Sequence, residues 1–412
     1  MNGNNYIIII CSIKRFKNDI LFIFAKRKSV MQSSKHIHIV FFQLPYPPVY
    51  GGLIDMYYKL KTLHDCGFKI TLHTYRYGLA SEEKSLDKLA DNVYYYERKT
   101  GLVSMFSKLP YIINSRRNKQ LLYNLLQDDD PILFEGIHTC FFLSHPCLKH
   151  RFKWVRMHNI EHEYYSGLAK NTSLLWKKIY FRVEALRLKH YERILNHANM
   201  ILAITHSDSK YFNIHYSHIK VCHLPCFYDL NSCIDYKNVK PNVDKYVLYH
   251  GNLSVEENVI AALRIVELSK SPYLSPNICF VIAGYRPSKK LKKIISTSSN
   301  IKLIDTPSFV EMDRLISQAH IHLLLTNQPT GIKLKLLNVL NKGRYGHVLT
   351  NSLMLPDYTF GTLCNVANTN DELIDMLNIL QDMSVPNELY EYRLDKLKEM
   401  GYTNDVSVFL QE

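Results

Sequence analysis

Short β-rich apolar runs alternate along the chain with longer stretches of helical period. The strand-like runs are His36–Phe42, Lys69–Tyr75, Ile132–Glu135, Trp154–His158 and Met200–Thr205. Between them the 3.6-residue period predicts helices over Leu53–Cys66, Thr139–Leu148 and Leu174–His197. A second series opens with Tyr246–Gly251 and continues through Ile278–Gly284, Ile301–Asp305, Ile321–Thr326 and His347–Thr350. Its helices are expected over Val255–Ser269, Lys289–Ser296, Val310–Gln318 and Ile332–Asn341. Strands alternating with helices build βαβ units around parallel sheets. Two such series predict an α/β protein of two Rossmann-like, doubly wound domains facing a central cleft. Ligands of such sheets bind beyond the carboxyl ends of the strands, so the site belongs in that cleft.

The polar stretch Asn231–Asp244, with Pro241, separates the two series. The expected division is an N-terminal domain over residues 31–235 and a C-terminal domain over residues 240–385. Residues 386–412 read as a charged helical segment able to cross back to the first domain. Residues 1–30 are either a basic extension or a misassigned start, with translation beginning at Met31 just before the first strand. Their apolar runs are broken by Lys14, Arg15, Lys17 and Asp19, and no run approaches the ~20 residues of a membrane span.

Composition then narrows the class. With 412 residues, 47% apolar and 21% charged, the chain can bury a core in each domain and is not a disordered polymer. Nine cysteines without a paired framework suit reduced thiols in the cytoplasm. The net charge of +14 is one-sided: residues 31–240 hold 28 Lys/Arg against 18 Asp/Glu, whereas residues 241–412 hold 17 against 18. Such a field attracts a polyanion, either a phosphorylated substrate or an anionic membrane surface approached peripherally from the cytoplasmic side. No helix-turn-helix or aromatic RNA-binding signature accompanies the charge, so no nucleic-acid partner is expected.

Chemistry concentrates where strands end. Pro45-Tyr-Pro-Pro-Val-Tyr-Gly51-Gly52 leads from the first strand into a helix, and paired glycines there let backbone approach a ligand. Glu135-Gly-Ile-His138 and Arg156-Met-His158-Asn159-Ile-Glu161 follow two further strands; His138, His158 and Glu161 could position or deprotonate a hydroxyl. His250-Gly251-Asn252-Leu253 opens the second domain, and Ser254 with Glu257 reads as a capping box. In Thr330-Gly331-Ile332-Lys333-Leu334-Lys335 a helix begins with Lys333 in its first turn, against the helix dipole. A bound diphosphate would remove that conflict. Lys335, two residues on, is expected on another face. Metal readings are weak: Cys222-x3-Cys226 lacks a second ligand pair, and Asp128-Asp129-Asp130 precedes a strand, away from the cleft loops. Neither a Walker A loop nor GxGxxG occurs.

Taken in order, Pro-Pro-x-x-Gly51-Gly52, the 156–161 stretch, His250-Gly-Asn-Leu and Gly-Ile-Lys-Leu-Lys-Leu-Leu at 331–337 resemble the retaining nucleotide-sugar glycosyltransferases of the GT-B fold, broadly family 4. The resemblance spans about residues 36–385. It implies an acceptor-binding first domain and a donor-binding second domain, no cofactor or metal, and a nucleotide-diphosphate sugar as co-substrate. It places Gly51, Gly52, Gly251, Asn252, Gly331, Ile332, Lys333, Leu334 and Asn338 at the donor, and Arg156, His158, Asn159 and Glu161 at a saccharide or lipid-linked acceptor. His138 and Lys333 take the catalytic roles. The family often has Arg directly after the donor-domain glycine, Lys five residues on and two glutamates eight residues apart; here Asn252, Glu257, Thr330 and Asn338 occupy those places. The expected function is glycosyl transfer to an acceptor hydroxyl in glycan or polysaccharide synthesis. The alternatives are an epimerase on the same frame and a non-catalytic sugar-nucleotide-binding protein.

Overall fold

The computed structural model describes residues 36–410 apart from 47, 49–50, 77–84, 102–106, 173, 229–243, 329–332 and 356–357. Residues 1–30 and nearly all of the 231–244 divide therefore lie outside the described residues, as do Gly331 and Ile332.

In the first domain the strands are β1 (His36–Phe41), β2 (Lys69–Arg76), β3 (Asn92–Glu97), β4 (Ile132–Glu135), β5 (Lys153–Met157), β6 (Met200–Ala203) and β7 (Lys220–His223). The helices are α1 (Gly51–Asp65), α2 (Tyr111–Asn114), α3 (Lys119–Leu125), α4 (Glu161–Asn171), α5 (Leu175–Tyr191) and α6 (His206–His215). The second domain carries β8 (Val247–Asn252), β9 (Phe280–Tyr285), β10 (Ile301–Asp305), β11 (Ile321–Leu324), β12 (His347–Thr350) and β13 (Asn365–Val366). Its helices are α7 (Glu256–Leu268), α8 (Lys289–Ile295), α9 (Phe309–Gln318), α10 (Leu334–Lys342) and α11 (Asn370–Leu380), and α12 (Asn387–Glu399) follows.

All strand pairs are parallel, in the orders β3-β2-β1-β4-β5-β6-β7 and β10-β9-β8-β11-β12-β13. Both sheets are doubly wound. Their central strands bury both faces, which is why β1, β4, β11 and β12 read as largely apolar runs. The direction of winding reverses between β1 and β4 and again between β8 and β11. At each reversal the loops after the two strands diverge and leave a crevice. The first crevice receives the segments leading to Gly51 and His138; the second receives Gly251, Asn252 and Lys333.

Three edge strands were not foreseen. In β3, Tyr-rich and alternately exposed, and in the four-residue β7 the apolar signal is weak. The two-residue β13 is shorter still. The helix expected over Thr139–Leu148 is instead two 3₁₀ turns, Ile137–Phe142 and Pro146–Leu148. Pro146 has no N–H for an α-helical bond, so the segment stops and restarts there.

After α12 packs on the second domain, Val406, Val408 and Phe409 enter the first-domain core, and Phe409 meets Trp154 with ring centroids 5.6 Å apart. Asn404 donates to Tyr228 O at 2.8 Å and accepts from Tyr228 N at 3.1 Å. Among the described residues no helix is long and apolar enough to cross a membrane.

Candidate active site

A cavity of about 760 Å³ lies between the two domains, lined from one side by Gly51, Gly52, His138, His158, Asn159 and Glu161. Gly251, Asn252, Lys333, Leu334 and Asn338 line it from the other.

The first-domain wall is set by backbone geometry. Gly136, in the left-handed region at φ +68°, turns the chain after β4 so that His138 comes back over it. A Cβ there would sit 2.7 Å from His138 Nδ1. The imidazole stacks on Phe42 at 4.9 Å. Burial drives its pKa well below the usual histidine range, with Arg116 and His158 adding to the fall, so His138 is neutral at pH 7. Glu161, in the first turn of α4, goes the other way: burial pushes its carboxyl up to about 7 against a hydrogen bond from Asn159.

Arg156 is not on the wall. It is fully buried behind it, donating to Leu224 O, to Pro225 O at 2.9 Å and to Asp55 Oδ1 at 3.2 Å. Its β5 position points it into the sheet interior, so the acceptor contact expected of it is replaced by a structural one. Lys59, also fully buried, joins Asp55 Oδ2 at 3.1 Å to Glu135 Oε1 at 2.6 Å, and His158 Nε2 meets Glu135 Oε2 at 2.8 Å. Burial alone would raise the Asp55 carboxyl, but Arg156, Lys59 and His158 hold it well below the ordinary range. This network fixes His158 at the cavity wall by anchoring its far nitrogen.

On the second-domain wall β8 and β9 run in register, with Gly251 opposite Gly284. A Cβ on Gly284 would collide with the Gly251 carbonyl, so the close approach of these strand ends requires glycine. The anticipated capping box does not form: α7 begins after Val255, with no side-chain cap. Ser254 instead donates its hydroxyl to Asn252 Oδ1 at 2.6 Å, in a turn that also holds the Ser254 N–H. Glu257 is thereby released to line the cavity, where it accepts from the Thr326 hydroxyl.

Lys333 sits at the N-cap of α10 rather than in its first turn. Because that residue is extended and not helical, counting 100° per residue from it misplaces Lys335. Lys335 also lines the cavity, its Nζ 3.2 Å from Asn258 Oδ1 and 5.1 Å from the Tyr249 ring centre. Burial pulls its ammonium down to about 8 despite Glu257 nearby, and Lys333 adds to the fall. Burial likewise lowers Lys333, opposed by Glu257 and Asp208.

His250 is a further wall residue missed in the sequence, where only its glycine neighbour drew notice. It is 6% exposed, and neither ring nitrogen has a hydrogen-bond partner among the described residues. Burial and the ammoniums of Lys335 and Lys342 bring its pKa to about 3. Lys342 itself is bound by Asp313 at 2.8 and 2.9 Å. Gly51 reaches the opposite domain: a Cβ on it would lie 3.7 Å from Leu334 Cδ1. The amino ends of α1 and α10 thus meet at one point, with two lysines beside it. Unpaired first-turn N–H groups, helix dipoles and ammoniums at one place form an anion site.

Among the described residues, two groupings bring potential metal-ligand atoms within 4.8 Å of one another: Asp55, Glu135 and His158, and His36, His38, Asp128 and Asp130. The first is the ion-paired network behind the wall. In the second, at the amino ends of the central strands and away from the cleft, His36 pairs with Asp130 at 2.7 Å and His38 with Asp128 at 2.8 Å, beside Arg151.

No protein-family model matches the chain. An uncharacterised 44.6 kDa protein in the cps region of Klebsiella pneumoniae is 29% identical over 326 residues, 74% of this chain and 80% of that protein. Among solved structures, the UDP-forming α,α-trehalose-phosphate synthase of Burkholderia vietnamiensis matches with a TM-score of 0.59 and 12% identity, covering 92% of this chain and 98% of that one. The Escherichia coli trehalose-6-phosphate protein bound with UDP-2-fluoro glucose gives 0.61 at 10% identity, over 91% and 97%. Sucrose-phosphate synthase from Thermosynechococcus elongatus gives 0.61 at 11% identity, over 89% and 94%. These neighbours are GT-B glycosyltransferases, and the fold of this chain is GT-B.

Proposed function

We propose that the protein is a metal-independent, retaining glycosyltransferase of the family 4 type. It transfers a sugar from a nucleoside-diphosphate donor to a hydroxyl of a saccharide or lipid-linked acceptor in glycan synthesis. The observation that carries this is the anion site where the amino ends of α1 and α10 meet beside Lys333 and Lys335. Four features support the reading: the GT-B frame, the UDP-sugar held by one structural neighbour, the family-like order of motifs, and a relative in a polysaccharide region.

The substituted clamp is consistent with it. Where similar enzymes carry cations after the donor-domain glycine and five residues on, this chain has Asn252 and Glu257. Lys333 and Lys335 bring positive charge to the same place from the opposite helix, facing Glu257. With a diphosphate bound, both ammoniums gain counter-charge beyond that of Glu257 and Asp208. The bond from the anomeric carbon to the diphosphate oxygen breaks as the acceptor oxygen bonds from the same face. The acceptor proton passes to the departing diphosphate, whose charge the lysines and α10 amides stabilise. His138, His158 and Glu161 hydrogen-bond sugar and acceptor hydroxyls. Tyr285, Pro307, Phe309 and Met312 give the cavity an apolar end suited to a nucleobase.

The test is thermal stabilisation and sugar release with UDP-, GDP-, ADP- and dTDP-sugars in metal-free buffer. One nucleotide family should stabilise the protein and lose its sugar slowly to water, the released anomer matching the donor. Stabilisation with no release to water or acceptor would leave a sugar-nucleotide-binding protein. Conversion of the donor sugar without any acceptor would identify an epimerase. If no nucleotide sugar binds, the donor site is wrong.

A further inference from the structure

We propose that the outer face of α5 docks the protein on an anionic lipid bilayer. The helix runs LWKKIYFRVEALRLKHY, and its amphipathicity is inverted. The face turned to the protein carries Glu184, Ala185 and Leu188, all buried. The face turned to solvent carries Leu175, Trp176, Ile179, Val183 and Leu186, exposed by 72, 65, 55, 40 and 70%. At about 100° per residue these five fall within an arc of roughly 100°. Exposed apolar side chains scattered singly are ordinary, but five along one helix face, extended by the half-exposed Leu174, form a patch of the kind that meets an apolar partner.

Charge identifies that partner. Lys178, Arg182 and Lys189 lie together along one flank of the stripe, with Arg182 and Lys189 exposed, and Arg187 lies on the other. Exposed Lys170 and Arg193 flank its two ends. The stripe itself holds no acid, and Glu184 is turned inward, where it accepts from Tyr111 N at 2.7 Å and pairs with Arg187. Apolar side chains including Trp, bordered by Lys and Arg, fit a surface helix lying at the headgroup level of anionic lipid. A second copy of this chain would have to bring acidic rims to the same stripe, and none of the rim residues is acidic.

The position is suited to the cleft. α4 carries Glu161, Tyr164 and Tyr165 on the cavity wall and packs against α5 as a hairpin. The α4–α5 turn contacts the second domain through Asn171 Nδ2 to Asn327 O at 3.3 Å, and Lys177 Nζ lies 3.4 Å from Glu256 Oε2. A bilayer against α5 therefore lies beside the mouth of the cleft, where an acceptor carried on a lipid would enter. The docking itself does not depend on which reaction the cleft performs.

The chain has two tryptophans, Trp176 on the stripe and Trp154, 2% exposed in the first-domain core. In a Trp154→Phe protein the fluorescence therefore reports Trp176 alone. Titrating vesicles of phosphatidylcholine with 30% phosphatidylglycerol, chosen as the probe and taken as about one third anionic lipid, should shift its emission to the blue and carry the protein upward in flotation. Pure phosphatidylcholine should do neither, and 0.5 M salt, an ionic strength of the order that screens surface charge, should weaken the binding. Trp176→Glu with Ile179→Glu in the native chain should lower vesicle binding about tenfold or more. Its melting temperature and its donor-induced stabilisation should stay unchanged. Equal flotation of wild type and variant, or no flotation with anionic vesicles, would overturn the proposal. So would a dimer in light scattering that the same substitutions dissociate while vesicles have no effect.

Discussion

The two walls of the cleft handle buried charge in opposite ways. Behind the first-domain wall, Asp55, Glu135, Lys59 and Arg156 are all but fully buried and compensate one another in direct ion pairs, and Asp55 and His158 are the members that line the cavity. On the second-domain wall, Lys333 and Lys335 both face Glu257, which is already hydrogen-bonded by Thr326, and Asp208 adds its charge at Lys333. His250 stands beside them with both nitrogens unpartnered among the described residues. A charge network closed on itself holds shape and offers little to an ion. Two ammoniums desolvated beside a cavity are costly, and a bound anion offsets that cost. The first wall is thus built to orient hydroxyl groups and the second to take a diphosphate.

Removing the two lysines should have the largest effect. Lys333→Ala with Lys335→Ala should lower turnover by roughly three to four orders of magnitude, since one preorganised charge contact typically supplies 10²–10³. The fold should persist, because two desolvated ammoniums are removed while Asp208 and Glu257 keep their hydrogen bonds from Thr205 and Thr326. Steady-state kinetics beside a thermal melt checks this. Near-normal turnover in a folded double variant would place the diphosphate elsewhere.

The closed network should instead fail structurally. Arg156→Ala leaves Asp55 in the interior without its guanidinium, a loss of about 3–5 kcal/mol in comparable buried pairs. Urea denaturation should show that drop in stability. Any folded fraction should keep its donor-induced stabilisation, because the second wall is untouched. A change within about 0.5 kcal/mol, the range of ordinary surface substitutions, would mean that Asp55 is not held by charge pairing.

Much of this contrast was invisible in the sequence for identifiable reasons. The doubly wound architecture was legible because central parallel strands bury both faces and read as largely apolar runs; the edge strands β3, β7 and β13 do not. Cleft-facing loops were legible because every parallel sheet gathers them at the carboxyl ends of its strands. Side-chain direction was less so. Arg156 precedes a loop yet belongs to a strand, and the sheet interior claims it. Lys335 was assigned to a separate face by counting from Lys333, which is not helical. Ser254 and Glu257 have capping-box spacing, but Asn252 competes for the Ser254 hydroxyl. His250 carried no sequence signal beyond its glycine neighbour; only its burial beside two ammoniums marks it.

The gentlest probe of the second wall is pH. The Lys335 ammonium titrates at about 8 in the folded chain, below the ordinary lysine value, because burial disfavours its charge. A depressed folded pKa contributes stability that is present above the unfolded pKa, near 10.4, and is lost as pH falls through about 8. The free protein should therefore gain stability from this group as pH rises across that window. Donor binding should behave inversely, since a diphosphate stabilises the ammonium and takes up a proton above pH 8. Affinity should fall about tenfold per pH unit there, about 1.4 kcal/mol, until the window closes. Lys335→Arg keeps the charge throughout and should flatten that limb while the rest of the profile stays. Calorimetric titration of the nucleotide diphosphate from pH 7 to 10, in two buffers of different ionisation heat, reads both the affinity and the proton uptake. An unchanged alkaline limb in Lys335→Arg would move the titrating group to Lys333 or off the donor wall altogether.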